Sequence, residues 1–436
     1  MSASGRHVLV VGAGFAGLAA AMGLLRVAAA GHRITVVSEE SFFQYQPFLP
    51  EVASGTIDPR AAVVPLRRVL RHCRLVVGEV TRVDHAAREA RVRLVAGGDH
   101  TIGYDVLVLA PGSRSRVLPI PGLAERGIGF KTVQEAIYLR NHVLAQLDVA
   151  ASSEDAARRR AALTFVVVGG GYAGVEALGE LEDLTRDAIA TYPDLDPGEM
   201  RWVLVDAADR ILPELPLELA AYAREQLEER RIEVKLGTRL ESATGGSIRL
   251  SDGETFPAET LVWTAGVRPS PLARDSGLPV DARDRVPVDR SLRVDGLEDA
   301  WAAGDAAAVP DETTGGEAPP TAQHGLRQGR RIAANIEATL AGRPPEPFRY
   351  ATIGGVCSLG RYQGVAIVRG VRFRGFLGWF LHRSYHLLAM PTWTRRVKIA
   401  MDWTVSLLFP RDLAQLGSLA RPREPFERAS SDQPSD

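Results

Sequence analysis

Val8-Leu9-Val10-Val11-Gly12-Ala13-Gly14-Phe15-Ala16-Gly17 is the stretch that decides the fold. Four apolar residues that favour strands run directly into Gly-x-Gly-x-x-Gly, and the helix-forming Leu18-Ala19-Ala20-Ala21-Met22 follows at once. Strand, tight turn and helix in that order make the phosphate grip of a dinucleotide-binding α/β unit. Gly12 serves the turn, Gly14 lets backbone approach a pyrophosphate, and Gly17 lets the helix pack close on the strand. Unpaired N–H groups at the positive end of the helix then meet the phosphates. A bare glycine pattern also occurs in ordinary turns, so the flanking strand and helix give it its weight.

The chain does this twice. Leu163-Thr164-Phe165-Val166-Val167-Val168 leads into Gly169-Gly170-Gly171-Tyr172-Ala173-Gly174 and then the helical Val175–Leu181. The fold class read from this is α/β, with two Rossmann-type dinucleotide-binding domains. A flavin held permanently and a nicotinamide cofactor that comes and goes is the simplest chemistry for such a pair.

Each site wants a carboxylate at the end of its second strand for a ribose hydroxyl. In the first unit Arg33–Val37 reads as that strand, and Glu39 stands 22 residues past Gly17, with a solvated loop acid as the competing reading. In the second, Trp202–Val205 closes on Asp206, 32 residues past Gly174. That exceeds the usual ~20, and a long crossover helix with a Pro/Asp-rich extension at 191–197 absorbs the excess. An acid there favours NADH over NADPH, although Arg210 is close in sequence.

The aromatic-rich loop Phe42–Pro50 suits either core beneath a loop or the wall of a flat cofactor. A buried strand ends at Ala110-Pro111-Gly112-Ser113. Another ends at Ala303-Gly304-Asp305, where Gly-Asp is either a helix cap or a contact to the flavin's ribityl or pyrophosphate.

Arg361–Asp412 has a different character. Nine Arg or Lys face only Asp402 and Asp412, and three of the six tryptophans (Trp379, Trp393, Trp403) fall here. Phe373, Phe376, Leu377, Phe380, Leu381, Leu387 and Leu388 recur at helical spacing. Aromatics and leucines with interspersed arginines suit a helix lying on an anionic lipid surface. The plainer alternative packs the helix on the core or on a second subunit, giving a homodimer. The Pro/Ser/acid-rich end after Arg421 reads as a disordered tail.

Composition sets outer limits. The 436 residues predict two or three domains. A net charge of −1 offers nucleic acid no general attraction. Cys73 and Cys357, the only two cysteines, form no disulfide framework and point to a reducing compartment. No metal-binding pattern is read, and no apolar run is long enough to span a bilayer.

The order of motifs resembles the type II NADH dehydrogenases, single-chain flavoproteins of the pyridine nucleotide-disulfide reductase-like superfamily. The likeness runs from Val8 to about Leu413. Its most specific pieces are Gln46-Pro47-Phe48-Leu49, Gly169–Glu176, Trp263-Thr264-Ala265-Gly266-Val267, Ala303-Gly304-Asp305, Thr321-Ala322-Gln323-His324 and the Trp/Arg-rich end. The resemblance implies FAD at the first site and NADH at the second. A membrane quinone (menaquinone or ubiquinone) is the implied final acceptor, without proton pumping. It also implies peripheral attachment to the cytoplasmic face of the cell membrane through the C-terminal helices.

Gly12, Gly14 and Gly17 are implied to cradle the FAD pyrophosphate with Asp305 nearby, and Gly169, Gly171 and Gly174 to hold the NADH pyrophosphate with Asp206 on its ribose. Glu39, Gln46, Ala110, Gly112, Gly304, Gln323 and Gly266 complete the expected cofactor-binding set. Glu176 and Gln323 are the implied catalytic residues, the first matching the family's acid close to the nicotinamide and flavin, the second a quinone-side glutamine. There are departures. The family's first-site acid aligns best with Ser38, so Glu39 holds that role by adjacency. Ala110-Pro111-Gly112 replaces the common Ala-Thr-Gly. Gly325 and Arg327 stand where the glutamine motif has alanine and a second glutamine, with Gln328 one place later.

The expected domain boundaries are 1–131 and 268–345 for the two parts of the FAD domain and 132–267 for the NADH domain. A membrane-association region follows at 346–420, then the tail at 421–436. Rival readings are a soluble reductase of an electron-carrier protein, a sulfide:quinone-like oxidoreductase, and a redox-sensing flavoprotein. The thiol-based rivals need closely placed cysteines, which Cys73 and Cys357 do not supply.

Overall fold

The structure is a computed structural model describing residues 5–313 and 315–416, together with 423, 424 and 427. The expected disordered tail therefore lies almost wholly outside the described residues. Two compact units are each built from three separated segments. The first comprises Met1–Gln44, Val63–Arg116 and Gly266–Ile353, and the second Tyr45–Ala62, Val117–Ala265 and Gly354–Asp436.

The first unit is organised on a seven-stranded sheet. Its order is Ala300–Ala302, Val106–Leu109, His7–Val11, Arg33–Ser38, Arg74–Asp84, Glu89–Leu94, Asp99–Gly103. The first five strands are parallel, with Val10 opposite both Val36 and Val108. His7–Val11 is buried throughout, which is why it reads as a continuous apolar run rather than an alternating one. The last two strands pair antiparallel, and Glu89–Leu94 alternates buried and exposed positions as a sheet with one wet face requires. Helix Phe15–Gly23 packs on helix Ala322–Leu340 through small residues, Gly23 against Ala333 and Gly329 against Ala16. A Cβ on either glycine would come closer than 3.0 Å to its neighbour, so the contact depends on their being glycine.

The second unit holds a five-stranded parallel sheet. Its order is Gly127–Gly129, Thr260–Trp263, Thr164–Val168, Arg201–Val205, Ile232–Lys235. Helix Val133–Ser152 opens with a capping box. The Thr132 hydroxyl accepts from Glu135 N–H at 3.1 Å, and the Glu135 carboxylate accepts from Thr132 N–H at 2.8 Å.

After the antiparallel strands Gly354–Ser358, Gly364–Val368 and Val371–Arg374 come two helices, Gly375–Ala389 and Trp393–Leu408. The apolar helical spacing is thus divided, because Met390 precedes Pro391 and takes an extended backbone (φ −60°, ψ 128°). Helix Gly375–Ala389 buries Trp379, His382, Arg383 and His386 in its own unit, yet exposes Phe376, Leu377, Phe380 and Leu388. Helix Trp393–Leu408 buries only Ile399 and exposes Trp393, Met401, Val405 and Leu408. Core packing and an uncovered apolar face therefore coexist on the same segment. Among the described residues, no helix is long and apolar enough to cross a membrane.

Candidate functional site: two dinucleotide cradles

The two glycine turns share one construction. Gly12 sits at φ +92° and Gly169 at φ +118°, left-handed conformations that a side chain would strain. A Cβ on Gly17 would collide with the Gly12 carbonyl, and one on Gly174 with the Gly169 carbonyl. By contrast, a Cβ on Gly14 or Gly171 would meet nothing within 4 Å. Gly14 and Gly171 are also the N-cap residues of helices Phe15–Gly23 and Tyr172–Ile189, and neither helix has a side-chain cap. The first N–H groups of both helices are thus left for a ligand. Open backbone at the positive end of a helix, repeated in each unit, fits the pyrophosphate of a dinucleotide.

The ribose acids differ. The Asp206 carboxylate accepts from Gly170 N–H and from Ala208 N–H (2.7 Å), which ties it to the second glycine turn. Arg210 donates instead to the Pro213 carbonyl at 2.6 Å. Glu39 is exposed and lies 3.7 Å from Arg114. Thr264, in the Trp263–Val267 motif, donates its hydroxyl to the Val168 and Gly169 carbonyls at 2.9 and 3.1 Å. It locks the glycine turn from the neighbouring strand.

In the first unit, Ala110 lies beneath the glycine turn, its carbonyl where a Gly12 side chain would go. The Gly112 carbonyl accepts from Ser270 N–H at 3.0 Å, and the Gly266 carbonyl from Arg116 N–H at 3.1 Å. Asp305 accepts from the Ser113 hydroxyl at 2.5 Å, and Gly304 N–H donates to Gln328 Oε1 at 2.9 Å. Buried Gln328 therefore braces the Gly304-Asp305 turn, a role its sequence position one place out of register did not disclose. Gln323 Oε1 accepts from Tyr350 OH at 2.7 Å, and Arg327 lies over the Tyr350 ring at 4.1 Å from its centroid. Gln46 belongs to the second unit, where it donates to the Lys131 carbonyl at 3.3 Å.

Glu176, near the start of helix Tyr172–Ile189, is buried. Its Oε1 accepts from Ser358 N–H at 3.1 Å and stands 3.0 Å from His382 Nε2. His382 in turn lies edge-on to His386, 4.6 Å between ring centroids, and His386 Nδ1 is 3.0 Å from the Tyr45 hydroxyl. Burial, reinforced by His382, holds His386 well below the ordinary histidine range, so it is neutral. Burial and the Glu176 charge push the Cys357 thiol well above its usual range. Cys357 is buried, and both cysteines are free. His382 carried no sequence signal, because its partner is 206 positions away.

Paired nucleotide cradles on two Rossmann-type sheets define a two-dinucleotide oxidoreductase scaffold. Residues 6–329 match the pyridine nucleotide-disulphide oxidoreductase family. The chain is 32% identical over 422 residues to the type II NADH:quinone oxidoreductase Ndh of Mycobacterium tuberculosis, covering 93% of this chain and 89% of that one. It is 31% identical over 381 residues to the type II NADH:quinone oxidoreductase of Staphylococcus saprophyticus, covering 86% and 92%. Its fold matches NDH2 from Plasmodium falciparum in complex with NADH, at TM-score 0.87 and 17% identity over 94% and 99% of the two chains. The chain belongs to the pyridine nucleotide-disulphide oxidoreductases and, within them, to the type II NADH:quinone oxidoreductases.

Proposed function

We propose that this chain is a FAD-dependent oxidoreductase that takes a hydride from NADH and passes two electrons to a membrane quinone, without pumping protons. The paired cradles, each with an open central glycine under an uncapped helix N-terminus, carry this reading. FAD, when bound, supplies the carrier that accepts a hydride from one substrate and returns two electrons to the other. The chain's own residues bind and orient. Gly12, Gly14 and Gly17 receive the FAD pyrophosphate, and Asp305, held by Ser113, meets the same cofactor, with Gly304, Gly112, Ala110 and Glu39 completing its contacts. Gly169, Gly171 and Gly174 receive NADH. Glu176 holds its carboxylate against Ser358 N–H and His382 and acts as the buried acid of the reaction, while Gln323 orients the quinone side.

The balance is NADH, a proton and quinone giving NAD⁺ and quinol. Anaerobic stopped-flow tests it. The yellow protein bleaches on mixing with NADH and recovers colour with a menaquinone or ubiquinone analogue. Bleaching without recovery would instead support the redox-sensing alternative.

Asp206 is the residue proposed to hold the NADH ribose. Removing a charged hydrogen-bond partner costs about 1.5–3 kcal/mol. Asp206→Ala is therefore expected to lower kcat/KM for NADH by about 10- to 100-fold, with a smaller change for NADPH and full flavin content. Equal losses for both nucleotides would remove Asp206 from this role.

The exposed apolar faces of the two C-terminal helices support attachment to an anionic lipid surface at the cytoplasmic face of the membrane, with Arg395 and Arg396 nearby to meet headgroups. A second copy covering the same faces, giving a homodimer, is the alternative. Each buried Leu or Phe contributes about 1.5–3 kcal/mol. The double variant Leu408→Ser, Phe409→Ser should lower vesicle partitioning by about 100-fold and leave ferricyanide reduction intact. Unchanged partitioning, with dissociation of a dimer in sedimentation, would transfer these residues to a subunit interface.

A further inference from the structure

The reaction proposed above draws one proton from solvent for every quinone reduced, yet Glu176, its acid, is only 6% exposed. A buried carboxyl that gives up its proton needs a route by which another arrives. Within the second unit a line of buried titratable side chains leads away from it.

His382 Nε2 stands 3.0 Å from Glu176 Oε1, His386 lies edge-on to His382 at 4.6 Å between ring centroids, and His386 Nδ1 is 3.0 Å from the Tyr45 hydroxyl. All four groups are buried. Half-buried Tyr385, its ring 5.0 Å from that of His386, stands at the outer end. The two histidines are one turn apart on helix Gly375–Ala389, which puts them on one face. Glu176 comes from helix Tyr172–Ile189, and Tyr45 precedes the short turn Gln46–Phe48.

His382 is the unusual member. Buried polar groups are nearly always hydrogen-bonded. Both of its ring nitrogens are buried, and among the described residues neither completes a hydrogen bond, although Nε2 is within reach of Glu176. A histidine kept for stability would spend both nitrogens. One that spends neither, seated between an acid and a second imidazole, can take a proton on one nitrogen and give it from the other. At the far end, burial pushes the Tyr45 phenol far above its usual range and holds His386 well below its own, so the phenol keeps its proton and the imidazole is neutral. With Tyr45 donating to Nδ1, the proton of His386 is on Nε2.

We propose that Tyr45, His386 and His382 form a proton relay that reloads Glu176 during quinone reduction. The inference rests on the function proposed above and adds to it the route of the proton. As Glu176 loses its proton to the acceptor, its carboxylate takes the Nε2 proton of His382. His382 Nδ1 takes the Nε2 proton of His386, His386 Nδ1 takes the phenol proton, and Tyr45 takes one from solvent on the Tyr385 side. One proton has crossed from solvent to acceptor, each group keeps its proton count, and no electron moves. Turning both rings over restores the starting tautomers, and His382 has no completed bond to break in doing so. All three are positioning residues, which act through Glu176.

The test uses the full-length, flavin-loaded protein, reduced with NADH and then mixed in stopped flow with one of two oxidants. A soluble quinone analogue takes up electrons and protons, whereas ferricyanide takes electrons alone. Tyr45→Phe keeps the ring and deletes the hydroxyl, and His386→Gln keeps polarity without an imidazole. Each is expected to slow reoxidation by quinone by about 100-fold and to raise its solvent isotope effect, with ferricyanide at the parent rate. Equal slowing with both oxidants identifies a packing defect and overturns the proposal, as does reoxidation by quinone at the parent rate. A parent protein that quinone fails to reoxidise overturns the function itself, and the relay with it.

Nitrogen-15 NMR of the histidines in the resting parent protein adds a readout that needs neither turnover nor a variant. His386 is expected as the Nε2–H tautomer. The Nδ1–H tautomer, donating to Tyr45, would reverse the first link and overturn the relay while leaving the proposed function standing.

Discussion

Gly174→Ala is expected to keep its yellow colour and lose reduction by NADH by about 100-fold or more in kcat/KM, the scale set by displacing bound reactants by about 1 Å. The new Cβ would fall on the Gly169 carbonyl and within 2.6 Å of Thr264 Oγ1. The helix must then retreat from the strand, carrying its N–H groups away from the phosphate position. Gly171→Ala makes the sharper companion. Its Cβ meets no protein atom within 4 Å and its φ of −76° suits alanine, so the melting temperature should stay at the parent value. The methyl would nevertheless occupy the surface where a pyrophosphate approaches, and NADH reduction should fall comparably. In the first unit Gly14→Ala, with φ −70° and equally open surroundings, should fold normally and lose FAD affinity. Gly171→Ala reduced by NADH at the parent rate would sink the assignment of the second cradle.

Arg383→Met is expected to be the most destabilising single change in the second unit. Arg383 is packed between the Trp379 and Trp403 rings, at 4.4 and 4.8 Å from their centroids, with its Nε 3.3 Å from Glu51 Oε1. The other Glu51 oxygen accepts from Trp403 Nε1–H at 2.5 Å. Glu51 is 2% exposed, so removing its cation strands a buried charge. Such losses cost about 3–5 kcal/mol. Burial raises the Glu51 pKa, and Arg383 pulls it back down. Without Arg383 the upward shift grows.

A carboxyl with a raised native-state pKa holds its proton more tightly folded than unfolded, so its stability contribution is complete at low pH. That contribution is lost as pH rises from the ordinary carboxylate range of about 4.3 toward the shifted value. The penalty in Arg383→Met should therefore be smaller at pH 5 than at pH 8 in urea melts. The double variant with Glu51→Gln should recover most of the loss. A penalty independent of pH would show that lost packing, not the stranded charge, is its source.

Both cradles were legible because everything they need is local. Strand, turn glycines and helix are contiguous, and only glycine tolerates the positive φ at Gly12 and Gly169 or the close approach at Gly17 and Gly174. The position of Asp206 beside the second glycine turn was equally legible, since a parallel sheet brings the end of the next strand there. The first-unit counterpart was not settled this way. Glu39 is a neighbour of the strand end, and its side chain pairs with Arg114 at the surface. The C-terminal segment showed its amphipathic character in sequence, but which face is buried depends on partners such as Glu51 and Glu176, more than two hundred positions away.

Local backbone chemistry thus dictated the nucleotide turns, the parallel strands that feed them and the existence of an aromatic, basic C-terminal pair of helices. Folding decided which buried charges pair and that Gln328 rather than Arg327 braces the Gly304 turn. It also decided that Cys357 is buried and that Glu176 faces His382. The division has a physical cause. Turn geometry is governed by steric terms between near neighbours in the chain, whereas charge pairing and burial depend on residues that only the packed chain brings within a few ångströms.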